Sequence, residues 1–185
     1  ALKYTGKVGK TAFGVISAID ESSLLLLPFE ESSTVVPMGE STSNIVRIKR
    51  MLKNAGELGA IITNRTFDKG GDMTTAGVDF HYHPGNNLHL TLHATSSIHN
   101  ESDNLEYNPE NEEDQTFDKY TKAFDGEEVT GNAMGFSLSK FDRHDSAGFT
   151  VRLRSPGFRT SNGFERNNST KWIKLSRGKN IYYDN

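Results

Sequence analysis

The chain has 185 residues, of which 34% are hydrophobic and 10% aromatic, and its mean hydropathy is -0.60. The hydrophobic fraction is low for a soluble domain of this length, yet the aromatic content argues against disorder. The net charge of -3 gives no reason to expect a nucleic-acid partner, and the absence of cysteine excludes disulfides and thiolate metal sites. No apolar run approaches the ~20 residues of a spanning helix.

Apolar and polar side chains alternate along most of the chain, which predicts β-strands. In chain order we expect strands at residues 2–8, 11–19, 43–52 and 58–62. The fifth and sixth strands show the cleanest alternation, and their apolar sets are Ala76, Val78, Phe80 and Tyr82, then Leu88, Leu90, Leu92 and Ala94. A seventh strand at 134–138 and an eighth at 149–153 follow, and a ninth begins near residue 171.

The predicted connections alternate in length. Within each pair the strands are joined by turns of about two to nine residues, whereas the pairs are separated by longer connections at residues 20–42, 66–73, 99–128 and 155–169. Short turns at one end and long loops at the other are typical of outer-membrane barrels. We therefore expect an all-β fold, an antiparallel up-and-down transmembrane β-barrel with long acidic extracellular loops.

Nine strands do not complete such a barrel, because single-chain bacterial barrels have an even number. We expect residues 1–185 to form a single β-barrel region, an internal piece of a larger barrel in the bacterial outer membrane. Its apolar rows would face lipid and its polar rows a wet interior, since side chains facing lipid must be apolar. The predicted polar lining comprises Arg47, Asp79, His81, His83, His89, His93, Arg152 and Arg154.

Several segments, taken in order, resemble one barrel family. They are residues 7–14 (KVGKTAFG), 44–50 (NIVRIKR), 59–65 (GAIITNR), 77–80 (GVDF) and 155–164 (SPGFRTSNGF). Together they resemble the domain of unknown function that follows a family-9-like carbohydrate-binding domain in large bacterial surface proteins. The resemblance implies an outer-membrane barrel with a sugar-binding domain outside these residues, and it supplies no catalytic residues.

Two groups of side chains are candidates for metal binding. If the turn between the fifth and sixth strands holds five residues, His83 lies opposite His89 at about 5 Å between Cβ atoms, near enough to share a divalent metal. Asp79 would then serve as a further ligand or orient a ring. The alternative is that these histidines simply line the interior near the turns.

The second group lies in an acidic segment, residues 101–128, which carries eleven Asp or Glu against two Lys. Such charge density needs either solvation or cations. The candidate calcium ligands are Glu110, Glu112, Glu113 and Asp114, without the spacing of a dedicated calcium loop. The alternative is a solvated surface loop.

The rest of the chain is positively charged. Because the acidic segment carries -9 and the whole chain -3, the remainder carries +6. This charge either favours anionic solutes or pairs with Asp79 and other carboxylates.

The expected function is that of a bacterial outer-membrane protein that binds carbohydrate at the surface or passes a small solute. Its partners would be outer-membrane lipid and that carbohydrate or solute, with no cofactor beyond a divalent metal or calcium. One alternative is an outer-membrane-associated hydrolase whose catalytic groups lie outside this chain, since no catalytic motif is found within it. The other is a soluble periplasmic β-rich ligand-binding domain.

Overall fold

A computed structural model describes residues 1–53, 56–85, 87–103, 116–117, 119–121, 123–160, 162 and 167–181. These residues form eleven strands and no helix. The strands are β1 Leu2–Val8, β2 Thr11–Pro28, β3 Ser33–Met51, β4 Glu57–Phe67, β5 Asp72–Tyr82, β6 Leu88–Asn100, β7 Thr116–Phe117, β8 Tyr120–Thr121, β9 Glu128–Phe141, β10 Asp145–Arg154 and β11 Lys171–Lys179. None of the described residues belongs to a helix able to cross a membrane.

Nine of the strands form one antiparallel sheet in the order β1-β2-β3-β4-β5-β6-β9-β10-β11, and β7 pairs only with β8. Apart from the step between β6 and β9, each strand of the sheet pairs with the next one along the chain. The predicted all-β antiparallel meander of nine strands is thereby confirmed. The sheet is open: among the described residues, β1 and β11 each pair on one side only, so no closed barrel forms.

The prediction of a long connection at residues 20–42 is wrong. β2 and β3 continue through this segment as a projecting hairpin in which Leu24 pairs with Pro37 and Pro28 with Ser33, so that only four residues connect them. The register shifts between Asp20 and Leu24. This irregularity, which has the form of a β-bulge, interrupts the period-two pattern on which the prediction rested.

The connection predicted at residues 66–73 is also shorter than expected, since β4 ends at Phe67 and β5 begins at Asp72. Gly70 and Gly71 make this turn with φ values of 100° and 86°, which side-chain-bearing residues rarely adopt. Two of the four predicted long loops are therefore tight turns. The asymmetry between the two ends persists, because the long β6–β9 and β10–β11 connections and the projecting β2–β3 hairpin all lie at one end, which we call the loop end.

The strand register sorts side chains onto two faces. We call polar face the side that carries one row running across seven strands, namely Lys49, Gly59, Asp79, His93, Gly135, Arg152 and Trp172. The opposite side, the apolar face, carries the side chains that alternate with these, among them Val46, Val78, Leu92, Phe136 and Val151. Many of them remain exposed: Val78 is 50% and Leu92 42% accessible.

The buried core lies at the loop end. Its apolar cluster combines the projecting hairpin, the β4–β5 turn region and the segment before β9, and it consists of Leu25, Leu27, Phe29, Val36, Met38, Phe67, Met73 and Phe124. By strand alternation, Phe67 and Met73 lie on the same side of the sheet as Gly59 and Asp79, which is the polar face. The polar face is therefore covered at one end and open over the rest of its length.

The β10–β11 loop shows that the sheet curls. Asn168 donates through Nδ2 to the carbonyl oxygens of Pro28 (2.9 Å) and Pro156 (2.8 Å), so these two oxygens lie at most 5.7 Å apart. One ends β2 and the other follows β10, yet six strand spacings in a flat sheet would separate these strands by about 29 Å. Because the loop lies on Ser97 and Gly131, the polar face is the concave side.

Gly131 of β9 allows this loop to approach. A Cβ at Gly131 would lie 2.1 Å from the backbone nitrogen of Phe158, so no side chain fits beneath the loop. We expect Gly131→Ala to lower the free energy of unfolding in urea by about 1–3 kcal/mol through overpacking. Gly14→Ala is the control, because its Cβ would lie 3.6 Å from Thr5 Cγ2, an ordinary contact. Equal destabilisation by both substitutions would contradict this account.

Candidate functional site

The open part of the polar face carries two ion pairs. Arg47 Nη2 lies 2.5 Å from Asp79 Oδ1, and Lys49 Nζ lies 2.5 Å from Glu57 Oε1. Gly59, on the strand between Arg47 and Asp79, makes the first pair possible, since a Cβ there would lie 2.4 Å from Arg47 Nη2. Of the two predicted roles for these cations, pairing with carboxylates is the one observed at Arg47 and Lys49.

Beside these pairs, the strands β6, β9, β10 and β11 enclose a depression of about 300 Å³. Its polar lining consists of Thr91, His93, Ser137, Thr150, Arg152, Trp172 and Lys174, and it includes no carboxylate. Arg152 stacks on the Trp172 ring at 5.3 Å from the centroid. His93 lies against Gly135, where a Cβ would come within 2.2 Å of the imidazole. The depression is therefore cationic, and one wall is aromatic.

The predicted lining residues are only partly brought together. His81 Nε2 lies 3.8 Å from Asp79 Oδ2, which joins it to the Arg47 pair. Arg154 instead lies toward the loop end and donates through Nη1 to the Asn167 carbonyl oxygen. Trp172 and Lys174 were not among the predicted lining residues; the register of β11 shows that they belong with Arg152.

His83 and His89 do meet at the turn end, with ring centroids 4.6 Å apart and planes nearly perpendicular. Among the described residues, no third histidine or carboxylate joins them in a group with ligand atoms close enough for a metal. Metal binding by this pair stays a prediction. The predicted calcium ligands Glu110, Glu112, Glu113 and Asp114 lie outside the described residues.

A buried polar group at the loop end was not predicted. Arg159 of the β10–β11 loop lies with Nη1 2.5 Å from Glu101 Oε1 and 2.8 Å from His99 Nδ1. Burial raises the pKa of Glu101 against the pull of Arg159, and it lowers the pKa of Arg159 against the pull of Glu101. Burial and the neighbouring guanidinium hold the pKa of His99 well below its usual value, so Nδ1 of the neutral ring accepts the hydrogen bond that Arg159 Nη1 donates.

One feature of the sequence indicates the position of His99 and Glu101. The polar alternation of β6 continues past the apolar stretch through Thr95, Ser97 and His99 to Glu101, which extends the polar face into the loop end. Nothing in the sequence indicates the partner, because Arg159 lies 58 residues from Glu101 in a segment without periodicity.

Comparisons of the chain with protein-family models, curated proteins and solved structures found no match. The geometry of the two faces is therefore the basis for assigning a function.

Proposed function

We propose that this chain forms part of the wall of a β-barrel in a bacterial outer membrane, with its apolar face against lipid and its polar face lining a wet interior. The observation that carries the proposal is a continuous band of apolar side chains across the convex face. Exposed members on all nine strands of the sheet are Leu2, Tyr4, Val15, Val46, Ile48, Leu58, Ile62, Val78, Leu92, Met134, Leu138, Phe149, Leu153, Ile173 and Leu175. Soluble proteins rarely expose apolar patches beyond a few hundred Å².

The apolar band has a defined limit toward the loop end. In β5 it runs from Ala76 to Tyr82, seven residues that extend about 23 Å along the strand at ~3.3 Å each. Toward the loop end it gives way to a polar row. Asn64 donates to Thr74 Oγ1 (3.1 Å) and Ser96 to Asn132 Oδ1 (2.6 Å). His99, Glu101 and Arg159 lie beyond this row, outside the proposed membrane layer.

The charge of the polar face favours anionic solutes. By register it carries Lys3, Lys7, Arg47, Lys49, Arg152 and Lys174 against Glu57 and Asp79 at the level of the band. Since Arg47 and Lys49 pair with the two carboxylates, the excess positive charge lies on β1, β10 and β11. Rings of cationic side chains favour anions in pores. We therefore include passage of a small anionic solute in the proposal.

The proposal has a structural requirement. In lipid every backbone N–H and C=O must be paired, so the outer edges of β1 and β11 must find partners when the sheet enters the membrane. Extraction of the protein from cell membranes tests this placement. We expect release only by detergent; a monodisperse protein obtained without detergent would support a soluble periplasmic domain and contradict the proposal.

Ion selectivity in planar bilayers tests the solute. We expect the protein to pass anions in preference to cations, and Arg152→Glu combined with Lys174→Glu to reduce the anion-to-cation permeability ratio several-fold, because both charges lie in the depression. Lys10→Glu is the matched control, since Lys10 is exposed in the β1–β2 turn. A reversal potential that the double substitution leaves unchanged would contradict anion passage along this face.

A further inference from the structure

Three carboxylates meet where β6 ends and β9 begins. Glu101, Asp125 and Glu127 each place one carboxylate oxygen within 4.8 Å of the other two. Thr121 fixes the second and third: its hydroxyl donates to Asp125 Oδ2 (2.9 Å), and its backbone N–H donates to Glu127 Oε2 (2.8 Å). The oxygens thus come from the two ends of the acidic segment, residues 101–128.

The charge of this cluster is incompletely balanced. Three carboxylates carry -3, and Arg159, which bonds Glu101 Oε1, supplies +1. These four groups sum to a charge of -2. A divalent cation would neutralise the group.

A second observation points to a ligand. The Glu101 side chain is only 2% exposed, and while its Oε1 bonds Arg159, its Oε2 is buried without a hydrogen-bond partner among the described residues. A buried carboxylate oxygen left without a donor is costly, and native proteins rarely leave one so. A bound cation would satisfy this oxygen.

The other acidic group differs in this respect. Glu57, Asp79 and His81 also bring ligand atoms within 4.8 Å, but Lys49 and Arg47 pair with the two carboxylates at 2.5 Å. The two cations neutralise the two carboxylates of that group, so a metal ion would have to displace the ammonium of Lys49 and the guanidinium of Arg47. The loop-end cluster is therefore the stronger candidate.

We propose that Glu101, Asp125 and Glu127 bind a calcium ion that ties the end of β6 to the start of β9. The ligands are all carboxylate oxygens, which favours Ca²⁺ or Mg²⁺ over Zn²⁺. Ca²⁺ accepts six to eight oxygens in irregular geometry and completes its shell with water, whereas Mg²⁺ requires a near-ideal octahedron at about 2.0–2.1 Å. These ligands are different residues from those predicted at 110–114, and the site does not depend on the membrane proposal.

Isothermal titration of the chelator-treated protein with CaCl₂ tests the site. We expect one Ca²⁺ per chain at this cluster, and a Kd about tenfold or more higher after Asp125→Asn or Glu127→Gln, since each change removes a charged ligand. Asp125 is exposed, so Asp125→Asn tests the ligand without disturbing packing. Circular dichroism of each variant verifies that the sheet is retained.

Two controls separate this site from the other candidates. Glu57→Gln alters the neutralised group on the polar face, and the combined change of Glu110, Glu112 and Glu113 to Gln and Asp114 to Asn alters the ligands predicted from the sequence. We expect both controls to leave the tight site intact. Binding that survives Asp125→Asn and Glu127→Gln, or that the fourfold change abolishes, would overturn the proposal, as would the absence of binding at millimolar Ca²⁺.

Discussion

Replacing Arg159 with methionine is expected to lower the free energy of unfolding by about 3–5 kcal/mol, the usual cost of removing one partner from a buried ion pair. The side chains of Arg159 and Glu101 are 1% and 2% exposed, so solvent neither screens their attraction nor compensates the carboxylate that is left behind. The same change removes the donor to His99 Nδ1. Urea unfolding of the purified protein measures the loss.

A double-mutant cycle distinguishes the ion pair from simple loss of packing. Glu101→Leu removes the charge that Arg159→Met leaves unpaired, so the combined variant should recover much of the lost stability. The measurements are made with chelator present, so that calcium binding by Glu101 does not contribute. Arg143→Met, in the exposed β9–β10 turn, is the control and should change stability by about 0.5 kcal/mol or less. A loss that the combined variant does not reduce would refute the pairing role.

Arg159 also anchors the β10–β11 loop across the concave side, through its backbone N–H to Ser97 Oγ at 3.1 Å. Arg159→Met removes the side-chain contacts of the loop but leaves this backbone bond possible. We therefore expect the loop to become more mobile while the sheet stays folded. Limited proteolysis should therefore cut the variant within residues 155–168 at a rate well above that of the unaltered protein.

The strands with unbroken alternation were predictable in position, face and pairing. β5 and β6 follow a period of two over their apolar stretch, and their five-residue connection brings His83 and His89 together as expected. The β2–β3 hairpin was not predictable in this way. The register shift after Asp20 moves later side chains to the opposite face, so the two halves of β2 do not share one alternating pattern.

The candidate site likewise has features that strand alternation predicts and features that it does not. That Arg47, Asp79, His93 and Arg152 share a face follows from strand parity, which the sequence carries locally. Which of them touch depends on register and on glycines: Arg47 reaches Asp79 because Gly59 leaves the space between their strands open. Arg159 could not be assigned, because its partners lie 58 and 60 residues away and the curl of the sheet brings them together.

Leu92→Arg should prevent stable insertion if the apolar face lies in lipid. Leu92 is near the middle of the band, between Phe80 of β5 and Phe136 of β9, and is 42% exposed. Arginine on the lipid face near the bilayer midplane costs about 2–4 kcal/mol, and even 2 kcal/mol lowers the folded-to-unfolded ratio roughly 30-fold. Urea unfolding in lipid vesicles and trypsin resistance in isolated outer membranes measure the effect.

Thr91→Arg is the matched control, because the same side chain enters one residue earlier, on the polar face beside His81. There arginine meets water at the edge of the cationic depression, and we expect a loss well below that at residue 92, about 1 kcal/mol or less. A soluble protein would give the opposite result at residue 92, since arginine at a position already two-fifths exposed to water leaves stability nearly unchanged and raises solubility. The difference between these adjacent substitutions therefore reports which solvent the apolar face contacts, and equal tolerance of both would rule out lipid.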